Sequence, residues 1–277
     1  MTLSRRTRVL LRIGTGITLL FIYVPLAVVI LYAFNKSRIQ SWPIPGFTLE
    51  WFDKAVNNPG ARDALVTSLK AAVGATSLAL LLGTLAAMAV ARYRFFGRET
   101  VSFLVVLPIA LPGIVTGMAL NATFREVLDP IGIGLGLFTI IVGHATFCIV
   151  VVYNNAVARL RRLSTSFEEA SSDLGANYWQ TFRWVTFPSL RSALLAGGLL
   201  AFALSFDEVI VTTFTAGADE TLPIWILSNL SRPNQLPVVN VVAVFVILLS
   251  FIPVALAQRV SRDEEGGTLA RAGAAGQ

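Results

Sequence analysis

The stretch Glu169-Ala170-Ser171, three residues, Gly175, nine residues, Val185-Thr186-Phe187-Pro188 lies in a polar connection between two long apolar runs. The connection opens with Arg159, Arg161 and Arg162. Ser166, followed three residues later by Glu169, reads as a capping box: the hydroxyl accepts from the Glu169 amide and the carboxylate returns to the Ser166 amide. Glu168 and Glu169 stand in the first turn, where the helix dipole favours negative charge. This predicts a short helix from about Phe167 to Leu174, ended by Gly175 in the left-handed conformation. A second helix from about Asn177 to Phe187 would carry Tyr178, Trp179, Phe182 and Val185, with Pro188 starting the approach to the next apolar run. Taken residue by residue, the stretch is also compatible with an ordinary helix-turn-helix joining two membrane spans.

The flanking runs set the class. Of the 277 residues 55% are apolar and 14% charged, and the mean hydropathy of +0.70 is too high for a soluble domain of this length. Several runs reach the roughly 20 residues that cross a bilayer core as a helix. The expected fold is all-α, a polytopic membrane bundle of about six spans, near 13–34, 65–90, 101–124, 136–158, 192–214 and 238–258. The single cysteine, Cys148, lies inside one of them, so no disulfide forms within the chain. Arg5, Arg6 and Arg8 before the first run resemble a signal peptide, but the run is too long for one and no small-residue cleavage site follows.

Positive charge orients the bundle. With an even number of spans, Arg5, Arg6, Arg8, Arg12, Arg92, Arg94, Arg98, Arg159, Arg161, Arg162, Arg183, Arg191, Arg259, Arg262 and Arg271 share the side of the termini. Lys36, Arg38, Lys54, Arg62, Lys70, Arg125 and Arg232 fall opposite, 15 against 7, which makes both termini and the loop at 159–191 cytoplasmic. The net charge of +6 therefore reflects membrane orientation and not nucleic-acid binding. The expected divisions are a cytoplasmic tail at 1–12, a transmembrane domain at 13–258 and a disordered cytoplasmic tail at 259–277. Residues 35–64, with Trp42, Pro43, Pro45, Gly46 and Trp51, read as a folded outer loop with aromatic anchors. Residues 215–237 read as a second outer element. Ala79, Gly83 and Ala87 form a small-residue stripe for close helix approach, and Pro108 and Pro112 are expected to kink the third span.

The polar loop resembles the EAA loop of ABC importer permeases, whose pattern is Glu-Ala-Ala, three residues, Gly, nine residues, Ile, any residue, Leu-Pro. The spacing agrees at every step, with Ser171 for Ala, Val185 for Ile and Phe187 for Leu as mild departures. The resemblance implies that the first helix of the loop docks in a groove of a separate ATPase. Glu169 and Gly175 are then the signature positions, with Glu168, Ala170, Asp173, Ala176, Tyr178 and Pro188 completing the coupling loop. From the first span to about Arg262 the chain also resembles the second permease subunit of spermidine/putrescine importers. Asn35 to Phe52, Gly143-His144-Ala145-Thr146-Phe147-Cys148 and Ser205-Phe206-Asp207-Glu208-Val209-Ile210-Val211 carry that likeness. Implied with it are a bacterial inner-membrane location, a second homologous permease, two ATPase subunits at the cytoplasmic face, an extracytoplasmic solute-binding protein and a polyamine substrate.

Asp207 and Glu208 are the unusual residues of the fifth span. Counted from Ala193, Asp207 lies about 21 Å along a helix, in the outer part of a core of about 30 Å. A charge there is costly unless it faces water or a partner. Lining a solute path, the pair would attract a polyammonium chain; as structural groups they would pair within the bundle, with Lys70 one candidate. Adjacent helical residues point about 100° apart, so both cannot face one lumen equally. His144, the only histidine, lacks metal-ligand neighbours and is expected to hydrogen-bond another helix, as are Asn121, Asn154 and Asn155. No metal or cofactor is expected.

The chain has no Gly-x-x-x-x-Gly-Lys-Ser/Thr, His-Glu-x-x-His or Gly-x-Ser-x-Gly, so it is not expected to be an enzyme. An ion-coupled secondary transporter is the rival class, but such folds show internal repeats and this chain shows none. Two further readings stay open on the sequence: an ABC permease for another small solute, and a structural membrane subunit without a path of its own.

Overall fold

The computed structural model describes residues 4–252 and residue 255; the expected tail at 259–277 lies outside the described residues. In chain order the helices are α1 (Arg5–Ala33), α2 (Glu50–Val56), α3 (Pro59–Arg92), α4 (Arg98–Ala110), α5 (Gly113–Val127), α6 (Leu137–Arg162), α7 (Ser166–Asp173), α8 (Tyr178–Thr181), α9 (Phe187–Phe206), α10 (Ile210–Thr215), α11 (Leu222–Leu230) and α12 (Leu236–Ile252). Arg5–Ala33, Pro59–Arg92, Leu137–Arg162 and Tyr178–Phe206 are long and apolar enough to cross a bilayer. The all-α membrane class holds. α12 is shorter than a span as far as it is described, and the expected sixth span at 238–258 runs past the described residues.

The third expected span is broken instead of kinked. Arg98–Ala110 and Gly113–Ile131 are bent by 106° at Leu111-Pro112. Leu111 is extended (ψ 146°), because the ring of Pro112 disfavours a helical residue before it. Pro108 stays inside α4.

The chain divides into two compact units. The first comprises residues 1–62 and 225–248. Of α1 only Ala33 is buried, so its apolar surface is left for lipid or another protein chain. The segment at 35–64 is folded as expected: Lys36 N–H donates to the Gly46 carbonyl, Thr48 N–H donates to the Phe34 carbonyl, and the Phe34 and Phe52 ring centroids lie 4.9 Å apart. Its two tryptophans differ from the expectation of paired anchors. Trp42 is exposed, whereas Trp51 is only 4% exposed and its indole N–H donates to the Asn35 carbonyl at 2.8 Å. A buried indole needs that partner, so Trp51 ties the loop to the end of α1.

The second unit holds residues 63–224 and those from 249 onward, and is organised around α6, which packs on α9, α4 and α10. Because lipid is as apolar as the side chains, close approach and interhelical hydrogen bonds hold such helices together. The stripe on α3 serves this: Ala79 and Ala87 are buried, and a Cβ on Gly83 would stand 3.0 Å from the Ile149 carbonyl and 3.1 Å from Val152 Cβ on α6. Gly197 brings α9 equally near to α6, where a Cβ would lie 3.4 Å from Val152 Cα. Tyr153 on α6 reaches Ser102 on α4 by a 2.7 Å hydroxyl contact, and Asn121 on α5 donates to the Phe214 carbonyl on α10. Asn155 departs from expectation: its amide donates to Val151 within α6, and Asn154 is exposed.

Candidate functional site

Between α6 and α9 the chain forms the two-helix hairpin expected from the sequence, with different capping. α7 is preceded by Thr165 without a side-chain cap, and the Ser166 hydroxyl pairs with Ser164 (2.6 Å) instead of forming the capping box with Glu169. The Ser164 hydroxyl also accepts from the Ser166 N–H at 3.2 Å, taking the amide that the box would have given to Glu169. The C-terminus is as expected. Gly175 has φ +83°, its N–H donates to the Ser172 carbonyl (2.9 Å), and Ala176 N–H donates to the Ser171 carbonyl (3.1 Å). These are the two bonds of a Schellman turn, which satisfies carbonyls that the helix end leaves free.

The second helix starts where Asn177 caps it, accepting from Gln180 N–H at 2.9 Å while the Gln180 side chain accepts from Asn177 N–H at 2.8 Å. It does not stop near Phe187. A π-helical turn, Phe182–Thr186, carries it into α9, so Pro188 sits inside one long helix. Proline has no N–H and its ring strikes the carbonyl four residues back; the wider turn accommodates both.

Each coupling-loop candidate now has a place. Phe167, Ala170 and Leu174 form one exposed apolar stripe on α7, with Leu174 89% exposed, and Glu169 and Asp173 are exposed beside it. Gly175 faces open space: no other atom lies within 4 Å of where its Cβ would be. Glu168 instead turns inward. Its carboxylate accepts from Arg92 Nε at the end of α3 (3.1 Å to Oε2) and from the Thr186 hydroxyl (2.9 Å). Arg92 also donates to the Leu160 carbonyl at 3.3 Å. Ser171, which stands where the resemblance has alanine, pairs with Thr181 at 3.1 Å. Tyr178 is exposed, and its hydroxyl hydrogen-bonds that of Tyr93.

The acidic pair does not lie in a continuous helix. α9 ends at Phe206, and α10 begins only at Ile210. Glu208 Oε1 accepts from Val211 N–H at 2.9 Å, so the carboxylate caps one of the first-turn amides that α10 leaves free. Neither carboxylate pairs with Lys70; Asp207 is exposed and Glu208 half-buried. Glu208 lines a cavity of ≈ 200 Å³ with Pro108, Leu111, Gly113, Thr116 and Phe147, where the broken third segment faces the broken fifth. Thr116 brings to it a buried hydroxyl with no hydrogen-bond partner among the described residues.

His144 bridges the break, as the expectation of an interhelical bond requires. Nδ1 is 2.8 Å from the Ser205 hydroxyl on α9 and Nε2 is 2.8 Å from the Thr212 hydroxyl on α10. Thr212 donates to the Glu208 carbonyl (2.8 Å), so it accepts from His144 Nε2–H, and Nδ1 accepts from Ser205.

A family model described as "Binding-protein-dependent transport system inner membrane component" matches residues 79–265, which takes in the hairpin and the broken segment. The chain belongs to this family. The permease is 34% identical over 244 residues to the spermidine/putrescine transport system permease protein PotC of Haemophilus influenzae, covering 87% of this chain and 92% of that protein. It is 33% identical over 232 residues to the putrescine transport system permease protein PotI of Escherichia coli, covering 82% of each. Among solved structures, the crystal structure of a bacterial ABC transporter involved in the import of the acidic polysaccharide alginate matches with a TM-score of 0.68. That match has 18% identity, covers 95% of this chain and 99% of that one, and concerns the fold. The protein is a multi-pass membrane permease subunit of an ABC importer, a class that works with a partner permease, ATPases and a binding protein. The ion-coupled class falls with that membership.

Arg92 and Thr186 are partners of the hairpin that the sequence does not reveal. Arg92 and Glu168 lie 76 residues apart, and nothing in either local pattern points to the other.

Proposed function

We propose that this permease admits a polyamine, putrescine or spermidine, along a path past Asp207 and Glu208, driven by an ATPase docked on α7. The observation that carries the path is the pair of facing breaks, Leu111-Pro112 and Asp207–Val209, with the Glu208 carboxylate and the free Thr116 hydroxyl on the cavity between them. Irregular backbone at membrane depth is tolerated where it lines a cavity. An ammonium chain gains there from a carboxylate and a hydroxyl without being held too tightly to leave. The names of the PotC and PotI relatives support the same solute class. Another small solute remains the second reading, favoured by the apolar character of the rest of that cavity wall.

The exposed stripe of Phe167, Ala170 and Leu174, with Glu169, Asp173 and the open Gly175 turn beside it, is the docking face in this reading. Ala176 and Tyr178 form the rear of the turn, and Pro188 belongs to the helix that carries movement inward. Two ATPases would serve this chain and its homologous partner, with a solute-binding protein on the other side. Six spans and a transmembrane domain over 13–258 follow from the apolar runs, and the cytoplasmic placement of the tails at 1–12 and 259–277 and of the loop at 159–191 follows from the distribution of lysine and arginine.

Uptake of radiolabelled putrescine and spermidine in cells lacking the gene, and in the same cells with it restored, tests the solute. Uptake that disappears and returns supports the proposal; uptake unchanged by deletion, with no other polyamine importer present, refutes it.

A further inference from the structure

We propose that the Arg92–Glu168 ion pair transmits movement of α7 into the membrane helices. The proposal rests on α7 being the docking helix, and it concerns what lies behind that helix. A cleft of ≈ 530 Å³ lies beside α7, lined among others by Met88 and Tyr93 at the end of α3 and by Tyr178 and Phe182, so part of the space between α7 and the end of α3 is open. A push on the Phe167–Ala170–Leu174 face reaches the helix that runs into α9 directly, through the packing of α7 on α8 and the π turn, but toward α3 it meets the cleft, across which contacts lose their attraction within about an ångström of separation.

Polar links remain. Arg92, Glu168 and Thr186 all line the cleft. Arg92 is the last residue of α3; its Nε donates to Glu168 Oε1 at 3.2 Å and lies 3.1 Å from Oε2. Its Nη1 donates to the Leu160 carbonyl near the end of α6. Glu168 takes a further bond from Thr186, at the mouth of α9. One carboxylate in the first turn of α7 is thus tied to the cytoplasmic ends of three long helices. The Ser171–Thr181 contact only closes the hairpin on itself. The side chains of Arg92 and Glu168 are 13% and 24% exposed, so water screens the pair less than a surface pair. The bond is charge-assisted, which makes it stronger than a neutral one, although its 3.1–3.2 Å separations are not short for its kind.

The test uses the whole importer in proteoliposomes: this permease, its partner permease, its ATPase and its own binding protein, purified with whatever solute it carries. Basal ATP hydrolysis, its stimulation by the binding protein, and the amount of ATPase in the complex are measured for wild type, Arg92→Gln and Arg92→Lys. Arg92→Gln is expected to keep the ATPase and basal hydrolysis while stimulation falls to near the basal rate, and Arg92→Lys to recover much of it. Wild-type stimulation in Arg92→Gln overturns the proposal. So does loss of the ATPase from that complex, which would make the pair a support for folding the loop. Ala170→Glu on the exposed stripe tests the docking reading separately. If the ATPase stays bound to that variant, the docking reading fails, and with it the proposal built on it.

Discussion

Replacing Gly175 separates two reasons why the proposed coupling turn would need glycine. Its φ of +83° is a conformation that side chains rarely adopt, while a Cβ there would touch nothing within the chain. For alanine the cost inside the permease is therefore conformational alone, about 1–2 kcal/mol. That lowers the population of the Schellman turn by roughly 5–30-fold. Asparagine tolerates the left-handed region and costs less, although it is larger than alanine. Valine, branched at Cβ, costs more than either. Uptake of radiolabelled putrescine per inserted permease, with insertion measured by immunoblot of membranes, should follow Gly, then Gly175→Asn, Gly175→Ala and Gly175→Val, the last near zero. If Gly175→Asn is worse than Gly175→Ala, the limit is space for the docked ATPase and not the turn, and the reasoning is refuted. Normal uptake in Gly175→Val would remove the turn from the mechanism altogether.

Gly83→Ala forces a Cβ to 3.0 Å from the Ile149 carbonyl and should lower the thermal midpoint in detergent, since overpacking costs about 1–3 kcal/mol; Gly83→Leu should not accumulate in the membrane. His144→Ala removes two interhelical hydrogen bonds, worth about 0.6 kcal/mol each in a membrane, and should lower the same midpoint, with His144→Gln recovering part. An unchanged midpoint would mean the bridge does not form. Asp207→Asn should weaken uptake of spermidine more than the matching substitution weakens uptake of a neutral solute in a related importer. Equal losses would assign Asp207 to packing. Glu208→Gln keeps an oxygen for the Val211 amide, so it should lower polyamine uptake while leaving the amount of inserted protein unchanged.

What could be read in the sequence was what local chemistry decides. The left-handed Gly175, the short helix before it and the small-residue stripe of α3 follow from residue type and spacing. The capping box at Ser166 does not form because Ser164, two residues earlier, takes the hydroxyl. The helix after Asn177 passes through Pro188 because a π turn makes room for it, a solution that hydrophobic period does not reveal. The fifth apolar run reads as continuous because apolarity persists through Val209 to Val211; that a helix ends at Phe206 and a new one starts at Ile210, with its Val211 amide capped by Glu208, does not show in hydropathy. The broken third segment is legible as a disturbance at Pro112 but not as a bend of 106°, which requires neighbouring helices to receive both arms. Arg92 speaks in the sequence for orientation alone, since only the folded chain brings it to Glu168.

The central claim, that a separate ATPase docks on α7, is tested most directly by cross-linking from single introduced cysteines. Cys148, the one native thiol, is buried, so an added cysteine is the reactive one. Leu174→Cys on the exposed stripe and Trp42→Cys on the outer loop are each treated with a short bifunctional reagent in membranes containing the whole importer. The account predicts a product of permease plus ATPase from Leu174→Cys and none from Trp42→Cys. No such product from Leu174→Cys, or the ATPase captured from Trp42→Cys, would contradict it.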